Sequence, residues 1–233
     1  MIDNLAFCTQ RLAWSRYSTS YRSTNTEGTH KVMHTHTSLI LASGSEIRKS
    51  LLSNAGLSFD VVKPMVDEDA LKLALLAENA SPRDIADGLA EMKAARIGQK
   101  HPGSLVIGCD QVLELDKQIL SKPIDKDDAK LQLTHMSGKR HSLLSAAVIY
   151  HELQPIWRHV GQVRLYMRAL SDNYIDQYVE RNWPEISHCV GAYQIESEGA
   201  RLFSRIEGDI FNVMGLPLLE LLNYLTLRGD IDG

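Results

Sequence analysis

Apolar positions in this chain alternate between strand-like runs and helical spacing. Residues 38–42 (SLILA) form a short continuous apolar run and predict a buried strand. Ile47, Leu51, Leu52 and Ala55 then recur at helical spacing, and Gly56 supplies a stop. Residues 59–62 predict a second strand, ended by Pro64. Ser81 followed by Pro82 is a helix start, with a hydroxyl cap and a proline in the first turn, and that helix runs to about Gly98. Residues 104–109 (SLVIGC) are a strongly apolar strand. Residues 112–115 and 118–120 flank Asp116 and Lys117 as a short hairpin. A helix over 125–136 has acids in its first turn, where they suit the helix dipole. Two long strands follow at 140–150 and 156–168, then a helix over 171–181 capped by Ser171, a strand at 201–203 and a leucine-rich helix at 216–227.

Strands and helices mix throughout, without an internal repeat or a linker. The predicted class is therefore α/β, or mixed α+β, in one domain over 38–228 with a short tail at 229–233. The adjacent long strands call for antiparallel pairing within a mixed sheet. Residues 1–37 differ: they are rich in Ser, Thr and Arg and have no sustained apolar period. They read as a disordered extension, or as sequence upstream of a natural start at Met33. The low acid content also suits an organellar transit peptide, the less favoured reading, and no apolar stretch there suits a secretory signal. His30, His34 and His36 in such a tail carry no metal reading.

Composition narrows the function. The chain has 233 residues, a formal charge of −4, 44% hydrophobic and 23% charged residues. Such a balance speaks against broad electrostatic binding of nucleic acid or an anionic membrane. No apolar run is long enough to span a bilayer. Cys8, Cys109 and Cys189 are odd in number and widely spaced, so a disulfide framework or a cysteine zinc site is not expected, and a cytoplasmic protein fits.

Three segments could carry chemistry. In residues 39–49 a strand enters a small-residue turn, Ser43-Gly44-Ser45, that opens a helix. Backbone amides and the helix dipole there favour an anion, and Arg48 and Lys49 sit one turn in. Alone, the segment is better described as a capped helix with a solvated basic face. Asp67, Glu68 and Asp69 could offer a carboxylate to a hard cation, yet alone they read as a charged surface loop. Asp110 follows the very apolar strand, and an acid at a strand end is well placed to hold a metal or to activate water. Lys93 and Lys122 add basic groups near element ends. Together, acids for a hard metal and bases for phosphates suit phosphoanhydride hydrolysis.

Seven segments in this order resemble the Maf family of nucleotide pyrophosphatases: LILASGSEIRKSLL, VDED, LAEMKA, VIGCDQV, ILSKP, MSGKRHSLLSAA and the stretch from GAYQIESEG to GDIFNVMGLPL. The resemblance covers about residues 38–228. It implies a two-lobed fold, like that of the inosine triphosphatases, with an elongated mixed sheet and a central cleft. It implies a homodimer that hydrolyses a nucleoside triphosphate to the monophosphate and pyrophosphate with Mg²⁺ or Mn²⁺. By the same resemblance Asp110 is the catalytic acid–base and a metal ligand, Glu68 a second metal carboxylate, and Ser43, Ser45, Arg48, Lys93 and Lys122 contact the triphosphate.

Some positions depart from the family pattern. Glu46-Ile47-Arg48 stands where the family has Pro-Arg-Arg, so Ile47 replaces an arginine that helps to choose the base. Gln111 and Glu196 stand where members acting on dTTP and UTP have Thr and Gln. Both look closer to the branch acting on 7-methyl-GTP, which however tends to carry Trp at the position of Ile47. The implied substrate is a non-canonical or modified nucleotide, with a lean towards a modified purine. Asp209 and Asn212 either line the cleft or shape the turn before the last helix, the turn being favoured. His135, His141, His151, His159 and His188 have no paired metal spacing and read as structural or surface residues. Two other functions compete: a non-catalytic nucleotide-binding regulator linked to cell-division arrest, and, more weakly, an RNA-binding module.

Overall fold

The computed structural model describes residues 37–232. The extension predicted at 1–37 lies outside the described residues but for Thr37, as do Cys8, His30, Met33, His34 and His36. The described residues form a seven-stranded mixed sheet with seven α-helices. No helix among them is long and apolar enough to cross a membrane.

Strand β1 (Leu39–Ala42) pairs in parallel with the short β2 (Asp60–Val61) and with β3 (Leu105–Leu115). The fully apolar β1 suits a position covered on both faces, as a parallel strand requires. Helix α1 (Glu46–Asn54) follows β1 and buries Leu51 and Leu52. On its other edge β3 pairs antiparallel with β5 (Arg140–His151), which pairs with β6 (Gln154–Met167), and β6 with β7 (Phe203–Glu207). Strand β4 (Gln118–Leu120) folds back on the end of β3. Asp116 and Lys117 turn that hairpin, both at positive φ.

Helix α3 (Pro82–Gly98) lies on one sheet face. Ser81 and Asp84 close a capping box at its start. It buries Ile85, Leu89 and Ile97 on one row, and Ala86, Ala90 and Ala94 on the next. The small residues matter because α3 rests almost directly on β3. A Cβ at Gly108 would strike the Ala90 carbonyl and the Ala94 amide.

The opposite face carries two separate cores. One gathers Leu105, Ile107 and Cys109 of β3 with α1 and with α7 (Leu218–Arg228). The other gathers Leu113 and Leu115 of β3 with α4 (Lys126–Met136) and α5 (Asp172–Asn182). Between them a polar row crosses the sheet: Gln111 of β3 pairs with Ser145 of β5, which pairs with Gly161 of β6. Helix α6 (Ile210–Val213) sits over that row, and its Asn212 packs against Gly161.

Three predicted elements need correction. Arg201 and Leu202 end a 3-10 turn, and the strand begins at Phe203. The strands predicted at 104–109 and 112–115 are one strand, so Asp110 is not at a strand end. Pairing of Val106 to Glu114 with β5 carries extended structure straight through Asp110-Gln111. The acids at 67–69 do not form a loop. Asp67 caps, and Glu68 and Asp69 open, the unpredicted helix α2 (Glu68–Ala77).

In the second core, His141 is buried and its Nε2 lies 2.8 Å from the Tyr193 hydroxyl. Burial pulls the imidazole down from its ordinary 6.5 to about 4. The folded protein therefore keeps His141 neutral where the unfolded chain takes up a proton. This contribution is intact above about pH 6.5 and is lost as pH falls towards 4, by roughly 3 kcal/mol at the acid end. Urea unfolding at pH 7 and pH 4 should show the stability gap between wild type and His141→Gln narrowing by about that amount. A gap independent of pH would refute the assignment.

Candidate active site

On the edge shared by β1 and β4, residues 109–112 of β3 have no strand partner. Pairing with β1 stops at Gly108, and pairing with β4 starts at Leu113. Asp110 thus lies just past the end of the parallel strand β1, although it is in mid-strand. Of the predicted site residues, Glu68, Lys93 and Asp110, the turn residues Ser43, Ser45 and Arg48, and Gln111 meet at or beside this gap through direct contacts.

Asp110 points towards α3, where it meets Lys93. Lys93 Nζ is 2.6 Å from Asp110 Oδ1 and 2.8 Å from Glu68 Oε2. The Lys93 and Asp110 side chains retain only 9% and 11% of their exposure, whereas Glu68 retains 47%. A single ammonium joins two carboxylates, one buried and one facing solvent. Lys93 falls one turn after Leu89 and one before Ile97, on the buried row of α3. A lysine on that buried row is the signal that the reading of Lys93 as a basic group near an element end did not use.

The small-residue turn forms a second group. Ser45 caps α1 by accepting from the Arg48 amide at 3.5 Å, and the Ser45 amide donates to Ser43 Oγ at 3.2 Å. The Arg48 guanidinium turns back over the turn. Its Nε donates to the Gly215 carbonyl at 2.7 Å, and its Nη1 donates to the Cys109 carbonyl at 3.2 Å and to Ser43 Oγ at 3.5 Å. Arg48 thereby ties α1 to the residue preceding Asp110. Gly215 has φ +92°, and the guanidinium lies against the space a Cβ would fill, so only glycine suits that position. Ile47 is half-buried beside Arg48.

Gln111 faces away from α3, into the polar row. Its Nε2 donates to the carbonyls of Asn212 and Val213 at 2.9 and 3.1 Å and to Ser145 Oγ at 3.0 Å. Ser145 Oγ also donates to the Asn212 carbonyl, at 2.6 Å. Asp209 caps α6 and accepts from Asn212 Nδ2 at 3.1 Å, so both shape the turn, the favoured reading of that segment.

Lys122 and Glu196 are both exposed and make no direct contact with the Asp110 group. They share a neighbour: burial raises the Cys189 thiol above its ordinary range, Glu196 raises it further and Lys122 lowers it. Burial also pushes the Cys109 thiol up to about 11, despite Arg48 and Lys93 nearby. Cys109 is therefore a protonated, buried thiol and no nucleophile.

Glu68 and Asp110 are the only acids that meet at Lys93, and no group of three His, Cys, Asp or Glu suited to a metal occurs among the described residues. This donor set fits Mg²⁺ or Mn²⁺ arriving with a substrate. Mg²⁺ commonly takes one or two carboxylates and fills its other positions with water and phosphate oxygens.

The family model described as Maf-like protein matches residues 38–227. The chain belongs to the Maf-like family. This Maf-like chain is 63% identical over 194 residues to a protein from Ruegeria pomeroyi named nucleoside triphosphate pyrophosphatase, covering 83% of this chain and 98% of that one. A protein of the same name from Ruegeria sp. is 60% identical over 200 residues, covering 86% and 100%. A protein from Mesorhizobium japonicum named 7-methyl-GTP pyrophosphatase is 46% identical over 195 residues, covering 84% and 98%.

Proposed function

We propose that this Maf-like protein is an enzyme that hydrolyses a nucleoside triphosphate to the monophosphate and pyrophosphate. The observation that carries the reading is the Lys93-bridged pair of Glu68 and Asp110 at the open edge of β3, beside the turn at Ser43 to Ser45. The names of the relatives favour catalysis over a non-catalytic regulator.

Lys93 holds Asp110 Oδ1, so the other carboxylate oxygen is left to take a proton from water. That water attacks the α-phosphorus, the bond from it to the bridging oxygen breaks, and pyrophosphate leaves. Ser43 and Ser45 offer hydroxyls and the start of α1 its dipole to the phosphates, and Lys122 offers an exposed ammonium. Glu68 and Asp110 would hold a Mg²⁺ or Mn²⁺ ion, which when bound would neutralise charge on the phosphate oxygens. The family resemblance supports a homodimer, and the free thiols of Cys109 and Cys189 suit a cytoplasmic protein. The test is pyrophosphate release by purified protein over standard, methylated and deaminated nucleotides, with and without chelator. Release from none of them would end this reading.

For the base we propose a modified purine. Glu196 offers acceptors to a guanine edge, and Gln111 keeps only its Oε1 for the nucleotide because its amide hydrogens hold α6. Gln111→Thr with Glu196→Gln should shift relative kcat/KM towards dTTP and UTP by about tenfold. It should also lower stability by about 1 kcal/mol, as the Asn212 and Val213 carbonyls lose a donor. An unchanged ranking would move base choice to Ile47.

A further inference from the structure

Arg48 and Lys93, two of the basic residues expected at the phosphates, are already engaged by the protein. Lys93 serves two carboxylates, and Arg48 serves two carbonyls and a hydroxyl. The Lys93 group carries a net negative charge, which would repel a polyphosphate. A cation not yet neutralised on the approach would offset that charge.

Lys72 is such a cation, on the same helix as Glu68. It lies one turn after Glu68 on α2, so both leave the helix on the same side. Glu68 meets Lys93, whereas Lys72 donates to Ser121 Oγ at 2.7 Å. Ser121 immediately precedes Lys122. Lys72 is half-buried, and among the described residues it has no acidic partner, only this neutral hydroxyl. Helix α2 itself buries no residue fully. It rests on the α3 cluster through Leu71 and Leu75, with Leu73 and Leu76 exposed. Two polar links thus hold it at the gap, one towards α3 and one towards the loop after β4.

We infer that Lys72 is a further triphosphate-binding residue, exchanging the Ser121 hydroxyl for a phosphate oxygen when nucleotide enters. The inference rests on the pyrophosphatase reading. A hydroxyl is a weak partner for an ammonium, and a phosphate oxygen forms a charge-assisted bond in its place. With Lys122 next along the loop, the two ammonium groups would face the polyphosphate from α2 and from the β4 side.

The test combines kinetics with calorimetric binding of inorganic tripolyphosphate to the full chain. Lys72→Met should raise KM about tenfold with kcat falling less than threefold, and should weaken tripolyphosphate binding to a similar degree. Lys72→Arg should recover most of both. Ser121→Ala separates a phosphate contact from a merely structural link: it should keep the wild-type KM, because the ammonium remains. Unchanged tripolyphosphate affinity in Lys72→Met, or a Ser121→Ala protein as impaired as Lys72→Met, would overturn the assignment. Tripolyphosphate binding decides Lys72 without turnover, whereas nucleotide turnover in the wild type decides the pyrophosphatase reading.

Discussion

Asp110→Asn should lower turnover by about a thousandfold while the protein stays folded. The amide cannot take a proton from water, and general bases are worth roughly 10²–10⁴ in rate. The fold should survive because Lys93 is not stranded: Glu68 remains 2.8 Å from its ammonium. The asparagine carbonyl can still accept from Lys93 where Oδ1 does now, at 2.6 Å. Pyrophosphate release and thermal melting measured together test this. Wild-type turnover in a folded Asp110→Asn protein would remove Asp110 from the chemistry. A collapse in melting temperature would make its role structural.

Lys93→Met should have the largest effect on stability, because one ammonium neutralises two carboxylates. Without it, Asp110 is a buried anion with no partner, and Glu68 adds a like charge nearby. Breaking a buried pair from one side costs about 3–5 kcal/mol. The low end applies here, since Glu68 is half exposed and can turn to water. Turnover should be lost as well. The double variant Lys93→Met with Asp110→Asn should regain most of the stability and none of the activity. Denaturant unfolding checks both. A double variant no more stable than Lys93→Met would mean that the cost comes from packing on the buried row of α3 and not from stranded charge.

These two residues also show how far the sequence could be read. Lys93 and Asp110 were both candidates, and the turn at Ser43 to Ser45 was located with its helix. Period and caps placed most elements because they follow local rules: Ser81 and Ser171 are caps, and Gly56 follows α1 in the left-handed region. Asp110 was misplaced at a strand end because its polarity interrupts an apolar run, whereas continuous pairing with β5 overrides that signal. Helix α2 went unread because Leu71, Leu73, Leu75 and Leu76 give no clean period, and the helix buries none of them fully. The anchoring of Gln111 to α6 was beyond reach, since it joins positions about a hundred residues apart through backbone carbonyls.

The strands β3, β5 and β6 pass without a break from one core to the other, beneath the row of Gln111, Ser145 and Gly161. The two cores therefore share one sheet as their floor, with no linker between them among the described residues. Moving one core against the other would mean bending a ladder of paired backbone, with polar links to α6 lying across the crease. Grip on a ligand then falls to pieces at the rim such as α2, which buries no residue fully. In such a molecule speed and affinity answer to different parts: substitutions in the floor alter chemistry and stability, and substitutions at the rim alter how tightly and how briefly the substrate is held.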